Sequence, residues 1–138
     1  MNDAAPTVFV IDDEESVRKA LGRLLRASGY NVAAFGSARE FLHQCQPANP
    51  GCLVLDVGMP EMSGVELHQI LVARKSAWPT IFLTGQEDTP MSVKAKNQRS
   101  AGFFTKPIDQ ETLLGAVEKA IEQDRTARLA SHNEAADF

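Results

Sequence analysis

Cysteine is nearly absent from this chain. Cys45 and Cys52 are the only two in 138 residues. That excludes a disulfide-stapled scaffold and a cysteine-ligated metal centre, which need more thiols at repeated short spacings. Both lie in apolar surroundings and are expected as free, buried thiols. Positive charge is sparse too. Fourteen Lys and Arg stand against 18 Asp and Glu, for a net charge of -4. No basic patch or arginine-rich arm marks a nucleic-acid surface. No apolar run approaches the ~20 residues of a membrane-spanning helix. The start, MNDAAPT, lacks the positive and apolar regions of a signal peptide, so a cytoplasmic location is expected. Internal repeats, linkers and low-complexity segments are also missing, and the length suits one domain.

What remains is 43% hydrophobic residues, arranged in short runs that alternate with helical stripes. Val8–Ile11, Val32–Phe35, Cys52–Leu55, Thr80–Leu83 and Phe103–Thr105 read as strands, and the unbroken apolar ones suit burial on both faces. Between the first two, Val17, Ala20, Leu21, Leu24 and Leu25 form one face of a helix from Ser16 to Ala27, with Gly29 as its C-cap. Ser37 with Glu40 and Ser63 with Glu66 have capping-box spacing. The second helix carries Phe41, Leu42 and Cys45 and ends at Pro47 and Pro50. The third carries Leu67, Ile70 and Leu71. Pro79 precedes the fourth strand, and Trp78 is expected to pack beside it. Thr89 before Pro90 reads as an N-cap with proline at the first helical position. The helix that follows has almost no apolar stripe. Asp109 caps a last helix expected to reach about Leu129, ahead of a polar, frayed end. His43, His68 and His132 show no ligand spacing and read as surface residues. Five strands alternating with five helices predict an α/β fold, a doubly wound parallel sheet covered on both faces.

The chemistry stands at strand ends. Asp12 and Asp13 follow the first strand, Asp56 the third, Thr84 the fourth and Lys106 the fifth. The carboxyl edge of an open parallel sheet is where such folds bind ligands. Hard divalent cations such as Mg²⁺ take oxygen donors. Asp13 and Asp56 are the expected direct ligands, with Asp12 through water and the Gly58 carbonyl completing the set. Glu14 and Glu15 read as a solvated acidic first helix turn that favours the helix dipole. A carboxylate beside Mg²⁺ can accept a phosphoryl group as an acyl phosphate. Lys106 would pair with a phosphoryl oxygen or with the unmodified aspartate, and a cis bond to Pro107 would aim its side chain inward.

On VIDDEE, LVLDVGMPEMSGVEL, the Thr84–Gly85 pair and FFTKP, the sequence resembles the receiver domain of two-component response regulators over about Thr7 to Gln123. PTVFVIDDEESVRKAL and EDTPMSVKA look most like the FixJ-type subgroup, whose members often carry a C-terminal DNA-binding domain. The resemblance implies a CheY-like five-stranded parallel sheet of order 2-1-3-4-5. It implies Asp56 as phosphoacceptor, Asp12 and Asp13 as the acidic metal pair, and Lys106 as the essential lysine. It also implies Thr84 as switch hydroxyl and Phe103 as switch aromatic. The receiver is expected over residues 1–125, with 126–138 a polar tail or the start of a linker. The expected partners are a sensor histidine kinase or histidine phosphotransfer protein, and a downstream protein or a second phosphorylated copy. Neither nucleic acid nor membrane is expected to bind this chain, and the protein is expected to be a self-modifying regulator, not a turnover enzyme.

Three departures stand out. Gly58 occupies a position where this subgroup usually has arginine. KNQRSAGFF puts Lys96 in place of an apolar residue and Arg99 in place of a glycine, which predicts a short, displaced or mobile fourth helix. Few residues follow the fifth helix, so no helix-turn-helix domain is expected within these 138 residues. The competing functions are a degenerate receiver acting by contact alone, and an aspartyl-nucleophile phosphatase of the haloacid dehalogenase type. The phosphatase lacks its second catalytic Asp, because Gly58 stands there. A flavodoxin-like cofactor binder is disfavoured because DDEE would repel an anionic cofactor.

Overall fold

The computed structural model describes residues 5–44, 49–75, 78–85, 89–97 and 100–136. Its strands are β1 (Thr7–Ile11), β2 (Asn31–Phe35), β3 (Gly51–Asp56), β4 (Thr80–Thr84) and β5 (Gly102–Thr105). Its helices are α1 (Glu15–Ala27), α2 (Ala38–Gln44), α3 (Gly64–Ala73), α4 (Pro90–Lys96) and α5 (Gln110–Ala136). The strands form one parallel sheet of order β2-β1-β3-β4-β5, which is the expected architecture.

Strand alternation sorts the core into two layers. Phe9, Ile11, Leu53, Leu55 and Phe82 face one side, where Phe41 of α2, Leu67 of α3 and Ala95 of α4 cover them. Val8, Val10, Val54, Ile81 and Leu83 face the other, under Leu21 and Leu25 of α1 and Leu113 and Val117 of α5. Each such side chain contributes about 1.5–3 kcal/mol when fully buried. Because every residue of β3 and β4 is buried, the central strand ends have no freedom to drift.

The caps follow the sequence. Ser63 and Glu66 form the reciprocal capping box, and Thr89 Oγ1 accepts the Ser92 N–H with Pro90 at the start of α4. Ser37 Oγ accepts the Glu40 N–H, and Asp109 Oδ2 accepts the Thr112 N–H. Gly29 takes a φ of 95° just past α1, a conformation that favours glycine.

Four expectations need correction. The last helix runs through Ala136, beyond Leu129 and into the end expected to fray. Buried Asp124 accepts the Gly51 N–H at 2.9 Å and the Arg128 Nε–H at 2.8 Å, and Arg128 Nη2 donates to the Asn49 carbonyl. These bonds fix the helix to the lower edge of the sheet far past its last buried aliphatic residue. His68 is buried, with its ring 5.3 Å from that of Phe82, because α3 buries a face wider than its aliphatic stripe. The fourth helix is short, as expected, yet it has a buried face built from small residues, Ser92 and Ala95. Glu14 is no bystander, as its contacts below show. Arg99, Gln98, Cys45 and Pro47 lie outside the described residues. Trp78 is buried beside Phe9 and Phe41, and its indole N–H donates to Asn49 O at 2.7 Å.

Cys52 is a free, fully buried thiol in β3. Burial, aided by nearby Asp124, pushes its pKa from 9.0 up to about 12. Thiolate is the reactive species. Iodoacetamide at pH 8 is therefore expected to leave Cys52 unmodified in the folded protein and to alkylate it in urea, as peptide mass mapping will show. The linked stability is fully present below pH 9, where the thiol is neutral in both states. It is lost as pH rises from 9 towards 12, because only the unfolded chain ionises there. Rapid native labelling would refute this.

Candidate functional site

Sheet order places the site. The chain leaves β1 towards β2 on one side and returns to β3 on the other, so the carboxyl ends of β1 and β3 flank a topological switch point. Ile11 pairs with Leu55 across that junction. The next residues, Asp12 and Asp56, therefore emerge side by side. Asp56 is level with Leu83, which puts Thr84 one step further along β4, and Thr84 pairs with Thr105 just before Lys106. The Lys106–Pro107 bond is cis.

Carboxylate oxygens of Asp12, Asp13 and Asp56 lie within 4.8 Å of one another, with Asp12 and Asp56 buried and Asp13 exposed. Asp12 Oδ1 accepts the Glu14 N–H at 2.9 Å, and the Arg18 side chain donates to the Asp12 carbonyl at 2.7 Å. These bonds pin the β1–α1 turn. Asp12 Oδ2 is buried and takes no hydrogen bond. Lys106 Nζ stands 2.8 Å from it as an ion pair. Nζ is also 3.2 Å from Glu14 Oε1 and 3.5 Å from Asp56 Oδ1. The lysine thus bridges three acids, with Asp12 nearest. Gly58 N–H donates to Asp56 Oδ1 at 3.3 Å, and a side chain at Gly58 would meet only open space.

Electrostatics follow from this crowding. Burial, then Asp12 and Asp13, push the Asp56 pKa from 3.8 up to about 7, against the pull of Lys106 and the Gly58 N–H. Burial pulls the Lys106 pKa down, but Asp12, Asp56 and Glu14 outweigh it and raise it above the ordinary lysine value. Three clustered oxygen donors, one of them buried without a hydrogen bond, suit a hard divalent cation. A cavity of about 290 Å³ opens over them, lined by Asp13, Asp56, Gly58, Thr84, Ser92 and Lys106 among others.

Thr84 is buried, and its Oγ1 lies 2.7 Å from Ser92 Oγ. Phe103 is half-buried against the α2–α4 side of the core, with Lys96 Nζ 5.6 Å from its ring centroid. All six strand-edge residues, Asp12, Asp13, Asp56, Gly58, Thr84 and Lys106, are therefore brought to one edge, with Phe103 further back along β5. Sequence reasoning missed two participants. Glu14 reads from the sequence as a solvated helix-turn acid, although its position directly after the acidic pair puts it within reach of Lys106. Ser92 carried a signal only in its three-residue spacing from the Thr89 cap.

Residues 8–118 match the family model of the response regulator receiver domain. The chain belongs to that family. The receiver is 42% identical to the response regulator protein TodT of Pseudomonas putida over 122 residues, covering 88% of this chain and 54% of TodT. It thus spans about half the length of the full-length relatives it matches. A solved structure of the response regulator StyR superposes with a TM-score of 0.91 at 41% identity, covering 96% of this chain and 67% of StyR. FixJ-N superposes with a TM-score of 0.78 at 40% identity, covering 88% of the receiver and 96% of FixJ-N. The FixJ-type likeness read from the sequence is thereby supported. Among the described residues, no helix is long and apolar enough to cross a membrane.

Proposed function

We propose that this receiver accepts a phosphoryl group on Asp56 from the phosphohistidine of a sensor histidine kinase or histidine phosphotransfer protein, and that the modification switches a partner-binding surface. The observation that carries this reading is the convergence of Asp56 with Asp12, Asp13 and Lys106 at the floor of an open cavity. An Asp56 carboxylate oxygen forms the new bond to phosphorus as the phosphorus–nitrogen bond breaks. The imidazole leaves with its electron pair, and the product is an acyl phosphate.

Asp12, Asp13, Asp56 and the Gly58 carbonyl would hold Mg²⁺, which neutralises charge on the transferring group when bound. The Gly58 N–H orients the Asp56 carboxylate. Lys106, kept protonated by its acidic neighbours, supplies a fixed cation for a phosphoryl oxygen. Thr84 supplies a hydroxyl on the α4 side, and Phe103 follows its movement. The protein promotes its own phosphorylation and hydrolysis without being a conventional turnover enzyme. Gly58 places no side chain over the acceptor, which leaves the acyl phosphate open to water. The surface then engages a downstream protein or a second phosphorylated copy, in the cytoplasm.

Intact-mass spectrometry with Mg²⁺ and acetyl phosphate tests this. One added phosphoryl group is expected on the wild type and none on Asp56→Asn or in EDTA. No adduct from acetyl phosphate or from a kinase, even at millisecond quench times, would overturn phosphoacceptance and favour a receiver that acts by contact alone.

A further inference from the structure

The switch hydroxyl is already occupied. Thr84 Oγ1 lies 2.7 Å from Ser92 Oγ in the first turn of α4. The Thr89 hydroxyl also donates to Ser92 Oγ at 2.9 Å, while the Ser92 N–H donates to Thr89 Oγ1 at 3.1 Å. Ser92 is fully buried and Thr84 nearly so. Thr89 is the N-cap of α4. Three side-chain hydroxyls therefore connect the end of β4 to the cap of the next helix.

We propose that Ser92 is a positioning residue that holds the Thr84 hydroxyl on α4 in the resting state and makes departure of that hydroxyl the event that loosens the first turn of α4. This rests on phosphoacceptance at Asp56 as proposed above. Thr84 and Ser92 line the same cavity as Asp56. A Thr84 hydroxyl that turns to an oxygen carried by Asp56 moves away from Ser92 Oγ. A buried hydroxyl that loses a partner resists the change. Ser92 therefore biases the receiver towards rest, by the factor of about 2–10 that one net hydrogen bond is worth.

The same departure reaches the surface. Ser92 and Ala95 are the buried face of α4, and Ala95 packs in the core layer against which Met91 and Phe103 also lie. Lys96, one residue on, stands over the Phe103 ring. A shift of the first turn thus bears on Phe103 through α4, in addition to any space that Thr84 itself vacates. The polar sequence of α4 acquires a purpose on this account: its hydroxyls supply a latch where a fully aliphatic helix would only pack.

The test is a titration of the full chain in Mg²⁺ with beryllofluoride, a phosphoryl mimic, followed by calorimetry and by amide shifts of residues 92–96. Ser92→Ala is expected to bind about 2–10 times more tightly than wild type, with its unliganded α4 amides displaced towards the bound positions. In a Thr84→Val background, Ser92→Ala is expected to change nothing, because the latch has already lost its other half. If Ser92→Ala does not fold, Ser92→Cys, with a weaker hydrogen bond, is expected to shift affinity the same way by less. Unchanged or weaker binding by these variants overturns the proposal, as does an equal gain in the Thr84→Val background, which would mark a purely structural role. Failure of the wild type to bind beryllofluoride overturns phosphoacceptance itself, a separate result from either.

Discussion

Gly64→Ala will lower the thermal midpoint by about 6–12 °C and reduce the yield of phosphorylated protein together with it. Gly64 is the first residue of α3, where the helix starts against the end of β3. A Cβ there would sit 2.3 Å from the Asp56 carbonyl oxygen, 3.0 Å from its carbon and 3.1 Å from Leu55 Cγ. The first two are backbone atoms of a buried strand and have no rotamer to change. Relief requires α3 to back away from β3, which strains the Gly64 N–H to Val57 O bond, 3.0 Å long. Overpacking of this kind costs about 2–3 kcal/mol, which for a domain of this size is the stated fall in midpoint. The displaced group carries the Asp56 carboxylate, the proposed acceptor, so stability and phosphorylation are expected to fall together. Gly115→Ala is the control. Its Cβ meets nothing within 4 Å on exposed α5, and it is expected to stabilise by up to about 1 kcal/mol through helix propensity. Equal midpoints for Gly64→Ala and wild type would show that α3 does not depend on this close approach.

The contrast between those glycines shows what a sequence can and cannot convey. Apolar runs ending in Asp56, Thr84 and the acidic pair of Asp12 and Asp13 were readable because strand burial and strand direction act locally. Once the sheet order is parallel, those ends must share an edge, so most of the site was legible. The rest depends on partners far apart in the chain. Nothing near Asp124 indicates that it takes the N–H of Gly51, 73 residues away, and this contact explains why α5 continues where its aliphatic stripe stops. The polarity of His68 points to exposure, yet an imidazole has an apolar ring face that Phe82 can cover. The buried face of α4 was overlooked for the opposite reason. Serine and alanine score as weakly apolar, yet their small size lets the helix approach the sheet. Glu14 shows a third limit, since only the folded chain reveals that Lys106, 92 positions away, comes to it.

Asp56→Asn will stabilise the metal-free protein, and the gain will grow with pH. Asp56 is buried beside Asp12 and Asp13, and although Lys106 and the Gly58 N–H favour its charged form, burial and the neighbouring acids prevail, which puts its folded pKa near 7 against 3.8 unfolded. Below about pH 4 the carboxyl is neutral in both states and costs nothing. Between 4 and 7 the folded protein holds a proton that the unfolded chain has released, so stability is lost as pH rises through that window. Above 7 the loss is complete, and the folded state carries an unfavourable charge. Asparagine keeps the shape and removes the charge. The gain is expected to be near zero at pH 4 and about 1–2 kcal/mol at pH 8, after allowing for solvent at the open side of the cavity. Urea unfolding in EDTA at both pH values measures it. A gain that falls with pH, or a loss at pH 8, would mean that the Lys106 attraction outweighs the crowding of the acids. The expected sign places the acceptor at a cost to the fold, as is common where reactivity requires charges to be gathered. Asp56, the acceptor proposed above, would then be a residue the fold is more stable without.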